Sequence, residues 1–289
     1  MGPTLRLALV ASLAVVVLVG AIVLWFLATA LPVRTGPALQ KLRHLADVPR
    51  EAWSRLQGKT IFFGHQSVGY NIVGGLQDLG AGDESVHLNT VETKDAGKIA
   101  GPMLAHGTVG RNRDPESKIA EFKELLEGRL GEKVDIAFFK FCYVDITRTS
   151  DPEAILAAYG KAMDDLKARF PRVVFVHVTV PLCAPEKGVK EGIKRLLGRS
   201  PELDDNLVRA RYNSLLRERY SGKEPLFDLA LYETLGPEES RYYSLRNERE
   251  IPVLVPSYTS DGGHLNPTGR RHIAEQLLLG LLDLAGGSQ

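Results

Sequence analysis

An aspartate and a histidine near the carboxyl end of the chain have a spacing suited to proton transfer. They are Asp261 and His264, separated by two glycines and followed by the sequence Leu-Asn-Pro-Thr-Gly at residues 265–269. An aspartate placed in this way can hold one ring nitrogen and leave the other free to take a proton from a nucleophile. The pattern predicts half of a Ser-His-Asp charge network. A surface loop that caps the last helix is the alternative interpretation.

A serine that could meet this histidine stands in the sequence Gly-His-Gln-Ser-Val-Gly at residues 64–69. Ser67 follows a β-rich run at residues 59–63 and precedes a helical pattern at residues 68–79. A serine at such a junction can present its own N–H to a substrate oxygen, aided by the helix N-terminus. The alternative interpretation is a plain helix N-cap, but the Asp261/His264 pair favours a nucleophile.

The elements that must position these residues alternate between strand-like and helical patterns. The predicted strands are residues 59–63, 86–91, 134–141, 173–180 and 226–229, and the predicted helices are residues 68–79, 115–130, 151–169, 200–220 and 267–284. This alternation predicts a three-layer α/β/α fold, flavodoxin-like, with a mainly parallel five-stranded sheet. Ligands bind at the carboxyl ends of the strands in such folds.

The amino-terminal residues 7–33 carry no charged side chain and are bounded by Arg6 and Arg34. At about 1.5 Å per residue, this run exceeds a hydrocarbon core of roughly 30 Å, so it predicts an uncleaved transmembrane anchor. A signal peptide cleaved after the small residues 28–30 is the alternative interpretation.

The chain is therefore divided into three predicted parts: residues 1–35 as anchor or signal segment, 36–58 as an amphipathic linker and 59–289 as the functional domain. An apolar segment at the extreme amino terminus is the ordinary start of an exported protein, which places the domain outside the cytoplasm, in the periplasm or on the cell surface. A literal count of flanking basic residues would place it inside.

Composition excludes several classes of protein. The formal net charge is +1, which argues against nucleic acid as a partner. The two cysteines, Cys142 and Cys183, cannot form a disulfide framework or a four-cysteine zinc site. They are predicted to be free buried thiols, although they could pair if their strands are neighbours.

Two further polar segments follow predicted strands. Residues 106–113 supply Gly107, Gly110 and Asn112, whose N–H or amide groups could face a substrate oxygen, and residues 142–145 end in Asp145. Each has an alternative interpretation as an ordinary loop or turn.

Histidines allow one more interpretation. His65 is close to Ser67 in the sequence and could orient it without contacting the substrate. A metal site built from His65, His106, His264 and Asp261 is also conceivable. The spacings typical of such ligands, two histidines separated by one or three residues, are absent, so no metal and no cofactor are predicted.

These segments together resemble the SGNH, or GDSL-type, hydrolase family. The likeness covers most of residues 59–285, and the block from Asp261 to residue 269 is similar to the family's final motif. The first block departs from the family, which has Gly-Asp-Ser where this chain has two residues between Gly64 and Ser67. The resemblance implies Ser67 as nucleophile, His264 as base and Asp261 as the residue that orients the base.

The resemblance also implies Gly110 as the oxyanion glycine, with Gly107 second. The family's third block carries an asparagine that donates to the oxyanion, whereas this chain has Asp145 in that turn and no asparagine. An ionised carboxylate would repel an oxyanion, so Asn112 or Gln66 is expected to replace the missing donor. Loss of one such donor costs about 2.7–4 kcal/mol of transition-state stabilisation.

The predicted function is a membrane-anchored serine esterase or acyl hydrolase that acts on a small ester or an acylated cell-envelope glycan. One alternative is a catalytically weakened SGNH-fold module that binds carbohydrate or is associated with an O-acyltransferase. A metal-dependent hydrolase is the other.

Overall fold

The computed structural model describes residues 2, 12–23, 33–37, 41–83, 86–185, 201–246 and 248–286. The strands are β1 (Arg34–Gly36), β2 (Thr60–His65), β3 (Thr90–Glu92), β4 (Met103–Thr108), β5 (Ile136–Phe139), β6 (Val174–Phe175), β7 (His177–Val178), β8 (Leu226–Phe227), β9 (Arg241–Arg246) and β10 (Arg249–Pro252). Residues 12–23 are helical. The later helices are α1 (Arg50–Gln57), α2 (Val68–Gly82), α3 (Pro115–Glu127), α4 (Pro152–Arg169), α5 (Pro201–Tyr220), α6 (Leu229–Thr234) and α7 (Pro267–Gly286).

The central sheet has five strands in the order β3-β4-β2-β5-β6, and every neighbouring pair is parallel. Between β6 and β7 the chain stays hydrogen-bonded to β5, since the Val176 N–H donates to the Ala137 carbonyl at 3.1 Å. β7 then pairs in parallel with β8. The predicted α/β/α architecture with a five-stranded parallel sheet is confirmed.

Helices cover both faces of this sheet, and β2 shows why. Successive side chains of a strand point to opposite faces. Ile61 and Phe63 pack in one apolar cluster with residues of α1, α2 and α7, whereas Phe62 packs in a second cluster with residues of α3, α4 and α5. Because both faces of the sheet are buried, residues 61–63 of β2 are all apolar, with no alternation between apolar and polar side chains.

Three features differ from the sequence prediction. The strand predicted at residues 86–91 is Thr90–Glu92, because Val86 and Leu88 are buried without strand pairing. β4 is absent from the predicted strands; its His-Gly-Thr sequence has weak strand propensity, and pairing with β2 and β3 overrides it. The long connection after residue 232 contains the hairpin β9–β10, which joins β1 in a separate antiparallel sheet.

Most of the apolar run predicted as a transmembrane anchor lies outside the described residues. Residues 12–23 are helical, and their apolar side chains, such as Leu13 and Val16, are exposed. Among the helices that the structure describes, none is both long and apolar enough to cross a bilayer. The two cysteines are buried and free.

Glu233 in α6 is a fully buried carboxyl group. One oxygen accepts from the Leu182 N–H at 2.6 Å, and the other has no hydrogen-bond partner among the described residues. Burial raises the pKa of Glu233 to about 8, against the lowering influence of the Leu182 hydrogen bond. The folded protein therefore keeps this group protonated through neutral pH, whereas the unfolded chain ionises it near its ordinary value.

We expect this proton to make stability depend on pH. Between the ordinary pKa and about 8, the unfolded state binds fewer protons than the folded state, so the free energy of unfolding should fall as pH rises. In Glu233→Gln that decline should shrink, by an amount on the order of a few kcal/mol between pH 5 and 8. Urea unfolding at the two pH values measures it, with the exposed Glu218→Gln as control. An unchanged decline in Glu233→Gln would contradict the assignment.

Candidate active site

Ser67 occupies the turn between β2 and α2, at the carboxyl end of the central strand of the sheet. Its φ of 53° and ψ of −110° are uncommon for a residue with a side chain and are typical of strained turns at functional sites. The turn is also tight behind the serine, since a Cβ at Gly69 would lie 2.3 Å from the Cβ of His65. The local sequence thus fixes the backbone that presents Ser67.

The Ser67 hydroxyl meets the histidine predicted from the sequence. Its Oγ lies 2.6 Å from Nε2 of His264. Ser67 stands at the N-cap position of α2, but its side chain makes no capping hydrogen bond. The serine side chain therefore points to the histidine rather than to the helix that it precedes.

Asp261 holds the other side of the same ring. Its Oδ2 lies 2.6 Å from Nδ1 of His264, and its Oδ1 accepts from the N–H groups of Gly263 at 3.0 Å and His264 at 2.8 Å. The Thr259 hydroxyl donates to Oδ1 at 3.2 Å. With Nδ1–H donating to the carboxylate, Nε2 is free to accept the proton of the Ser67 hydroxyl.

The charge on Asp261 is stabilised by these contacts. Partial burial acts to raise the pKa of this carboxyl group, but the hydrogen bonds from the Gly263 and His264 backbone and from the ring outweigh it and hold the pKa well below its usual range. Asp261 is therefore ionised at any pH at which the protein would work, which favours an imidazolium during proton transfer.

Two residues that the sequence analysis did not assign hold the histidine loop in place. Asn71 in α2 accepts from the Leu265 N–H at 3.1 Å, which ties the loop to the helix that follows Ser67. The Tyr143 ring lies edge-on to the His264 ring, with centroids 5.8 Å apart. Close packing of that ring also leaves no room for a Cβ at Gly263, which would lie 2.7 Å from Tyr143 Cζ.

Donors for an oxyanion are arranged differently from the prediction. The Ser67 N–H has no acceptor among the described residues. The Gly110 N–H, however, donates to Oε2 of Glu121 at 2.7 Å, so it is not free to bind an oxyanion. Gln66 is also engaged, because its amide nitrogen donates to the carbonyls of Val109, at 3.2 Å, and Gly110.

The remaining predicted donors lie in different settings. Gly107 is inside β4, opposite Gly64 of β2, and not in the loop. Asn112 is exposed on the loop, and its amide oxygen accepts from Lys118 Nζ at 3.0 Å. That bond fixes the amide group and leaves its NH₂ without a partner among the described residues.

Asp145 is buried, and its carboxylate accepts hydrogen bonds from the segments after β4 and β5 and from α3. Its carboxylate accepts from Lys118 Nζ at 2.5 Å, from the Cys142 N–H at 2.6 Å and from the Arg113 N–H at 2.7 Å. Lys118 and Asp145 are both almost fully buried, so they form an ion pair beneath the surface. Asp145 thus orders the segments after β4 and β5.

His65 and His106 face each other instead of Ser67. Their rings approach at 3.1 Å between His65 Nε2 and His106 Nδ1. Burial, with Lys140 and His106 adding to it, lowers the pKa of His65 to about 2, so this ring is neutral. Among the described residues, no group of three His, Cys, Asp or Glu side chains is placed to hold a metal ion.

A polar cavity of about 610 Å³ opens beside the site, with Tyr143 in its wall. Its wall also contains three hydroxyl-bearing residues of the following loop, two guanidinium groups and two carboxylates of α5: Thr147, Thr149, Ser150, Arg113, Arg209, Glu202 and Asp205. Tyr143 therefore touches both the His264 ring and this cavity.

Comparison with known proteins gives matches only among solved structures. No family model matches the chain, and no curated protein matches it. A carbohydrate acetylesterase from Sinorhizobium meliloti is 12% identical, with a TM-score of 0.43, and the match covers 78% of this chain and 99% of that one. The periplasmic domain of a lipopolysaccharide acetyltransferase from Salmonella ser. Paratyphi A is 14% identical, with a TM-score of 0.42, covering 76% and 83%. The aryl esterase of M. smegmatis is 14% identical, with a TM-score of 0.40, covering 76% and 97%.

Proteins that share a fold at this level of identity need not share a reaction. The positions of the polar segments in this chain are more informative than the matches. The serine turn follows β2, the Gly110 loop follows β4, the Asp145 turn follows β5, and the Asp261/His264 loop precedes α7. These segments are gathered around the carboxyl ends of a five-stranded parallel sheet, which is the arrangement that the resemblance to SGNH-type hydrolases implies.

Proposed function

We propose that this protein is a serine esterase or acyl-transfer enzyme. The observation that supports this most strongly is the pair of 2.6 Å contacts that link Ser67 to His264 and His264 to Asp261. Residues from opposite ends of the domain converge there in the order that base-assisted nucleophilic attack requires.

The reaction would proceed by acyl transfer through Ser67. His264 Nε2 takes the hydroxyl proton as Ser67 Oγ attacks the ester carbonyl, and Asp261 stabilises the imidazolium that forms. The tetrahedral intermediate collapses when His264 returns the proton to the departing alcohol oxygen. Water, or an acceptor alcohol, then attacks the acyl-serine with the same histidine as base.

The negative charge that develops on the carbonyl oxygen needs donors. The Ser67 N–H, for which the described residues offer no acceptor, is the first, and it lies at the N-terminus of α2, where the helix dipole favours negative charge. The NH₂ of Asn112, which has no partner in the described part of the chain, is proposed as the second, because Lys118 already holds the amide oxygen. Asn112 would then replace the asparagine that this chain lacks after β5.

The polar cavity beside Tyr143 suits a hydroxyl-bearing alcohol portion of the ester. A small acyl group on a glycan, or a small polar ester, is the substrate class that we propose. The apolar run at residues 7–33 would anchor the chain, with the catalytic domain outside the cytoplasm.

One observation favours a second candidate, a catalytically weakened module that binds carbohydrate or accompanies an O-acyltransferase. The Gly110 N–H is occupied by Glu121, and the turn at residues 142–145 after β5 contains no asparagine, so oxyanion support is smaller than the resemblance implies. Such a module would keep the cavity and lose turnover.

Hydrolysis of p-nitrophenyl acetate and of acetylated sugars by the purified protein separates the candidates. The proposal expects turnover that persists in the presence of a chelator. Glycan binding with no turnover of any ester would favour the module, and turnover abolished by chelator would favour a metal-dependent hydrolase.

A further inference from the structure

Lys140 is a buried lysine beneath the serine turn. Its side chain is 1% exposed, and no carboxylate of the described residues lies within salt-bridge distance. Its Nζ donates to the Phe141 carbonyl at 3.2 Å and to Sγ of Cys142 at 3.6 Å. Burying an ammonium group without a carboxylate partner costs several kcal/mol, so stability alone does not account for a lysine here.

The hydrogen bonds continue from Lys140 toward the nucleophile. The Cys142 thiol donates to the Gln66 carbonyl at 3.5 Å. That carbonyl belongs to the peptide group between Gln66 and Ser67, whose other end is the unpartnered Ser67 N–H. A bond received by the carbonyl of an amide draws electrons from its nitrogen and makes the N–H a stronger donor.

We propose that Lys140, acting through Cys142, polarises the Gln66–Ser67 peptide and so strengthens the Ser67 N–H as an oxyanion donor. The inference rests on the proposed function, because an oxyanion forms only if Ser67 is acylated. Lys140 and Cys142 are then positioning residues, which act on the reaction through a peptide group and do not touch the substrate.

The other buried charges near Lys140 do not substitute for it. Lys118 is paired with Asp145 at 2.5 Å, so its charge is largely compensated. His65 is neutral because its pKa is about 2. Burial lowers the pKa of Lys140 itself, while Cys142 and Asp145 act to raise it. The geometry alone identifies the donor: Lys140 Nζ lies 3.6 Å from Cys142 Sγ, which lies 3.5 Å from the Gln66 carbonyl oxygen.

The chain of bonds also fits the departures from the family pattern. Gly110 gives its N–H to Glu121, and the turn after β5 offers Val144 in place of an asparagine. A site with fewer donors depends more on each one that remains. A lysine that polarises the Gln66–Ser67 peptide would compensate for the oxyanion donors that are missing at Gly110 and after β5.

Two substitutions test this with p-nitrophenyl acetate as substrate and phenylboronic acid as an analogue of the tetrahedral intermediate. Lys140→Met keeps the length of the side chain and removes the charge, and Cys142→Ala removes the thiol. Each should lower kcat by about tenfold, leave KM unchanged and weaken boronic acid binding by the same factor. Lys140→Met should be at least as stable as the wild type, because it removes a buried charge.

Matched variants separate this effect from damage to the fold. Cys142→Ser keeps a donor to the Gln66 carbonyl and should retain most of kcat, and Cys183→Ala, at the other buried cysteine, should match the wild type. The double variant Lys140→Met/Cys142→Ala should be no slower than Cys142→Ala. Unchanged kcat in a folded Lys140→Met protein would overturn the inference and leave the proposed function standing. Failure of Ser67→Ala to reduce turnover would instead remove the proposed function.

Discussion

Ser67→Ala should lower kcat/KM for p-nitrophenyl acetate by a factor of about 10⁴ or more. The substitution removes the hydroxyl that donates its proton to His264 and attacks the carbonyl, and loss of a nucleophile of this kind leaves only binding and oxyanion stabilisation. The fold should be unaffected, because the Ser67 hydroxyl makes no helix-capping bond and Ala has the same Cβ. The free energy of unfolding should change by no more than about 0.5 kcal/mol.

Steady-state kinetics and urea unfolding of the same preparations check both halves of this expectation. Ser221→Ala, an exposed serine after α5, is the matched control and should keep wild-type kinetics. A folded Ser67→Ala protein with wild-type turnover would reject Ser67 as the nucleophile. A large loss of stability would show that the serine has a structural role that its contacts do not indicate.

Asp145→Ala should produce the largest loss of stability, about 3–5 kcal/mol in the free energy of unfolding. It leaves the Lys118 ammonium buried without its carboxylate, and breaking a buried pair costs this much because the remaining charge is uncompensated. It also removes the acceptor of the Arg113 and Cys142 N–H groups, so the loops after β4 and β5 lose a common anchor. We expect kcat to fall as well.

An exposed ion pair of similar geometry provides the comparison. Lys123 Nζ lies 2.6 Å from Oδ2 of Asp165, but both side chains are about one third exposed. Asp165→Ala should therefore cost less than about 1 kcal/mol, because exposed pairs are weak and screened. Urea unfolding of the two variants side by side decides the point. Equal losses would mean that the burial of Asp145 does not set its contribution.

Much of the site could be predicted because residue type and local spacing carry the signal. Asp261 and His264 are three residues apart and form their bond within one loop. Ser67 lies where a strand pattern gives way to a helical pattern, and this change predicted its position after the carboxyl end of a strand. Two helix starts also lie within a residue of their predicted positions, because the side chains of Asp114 and Asp151 accept from N–H groups in the first turns of α3 and α4.

The features that escaped prediction depend on contacts between distant segments. Gly110 lies in a sequence typical of a flexible loop. Its N–H is not free to bind an oxyanion because Glu121, on the facing side of α3, accepts from it. In the sequence, Tyr143 is an ordinary residue after a strand. Its contact with His264 arises from the packing of two loops that are distant in the chain. Lys140 interrupts an apolar strand, and the sequence does not show what its ammonium group would contact.

The convergence of Ser67 with His264 is tested most directly by a serine-directed phosphonate probe, with the labelled peptide identified by mass spectrometry. The wild-type protein should carry one adduct, on Ser67, and His264→Ala should be labelled at least about a hundredfold more slowly, because the hydroxyl loses its base. Labelling of a different residue, or labelling of Ser67 at the same rate without His264, would contradict the catalytic pairing of these two side chains.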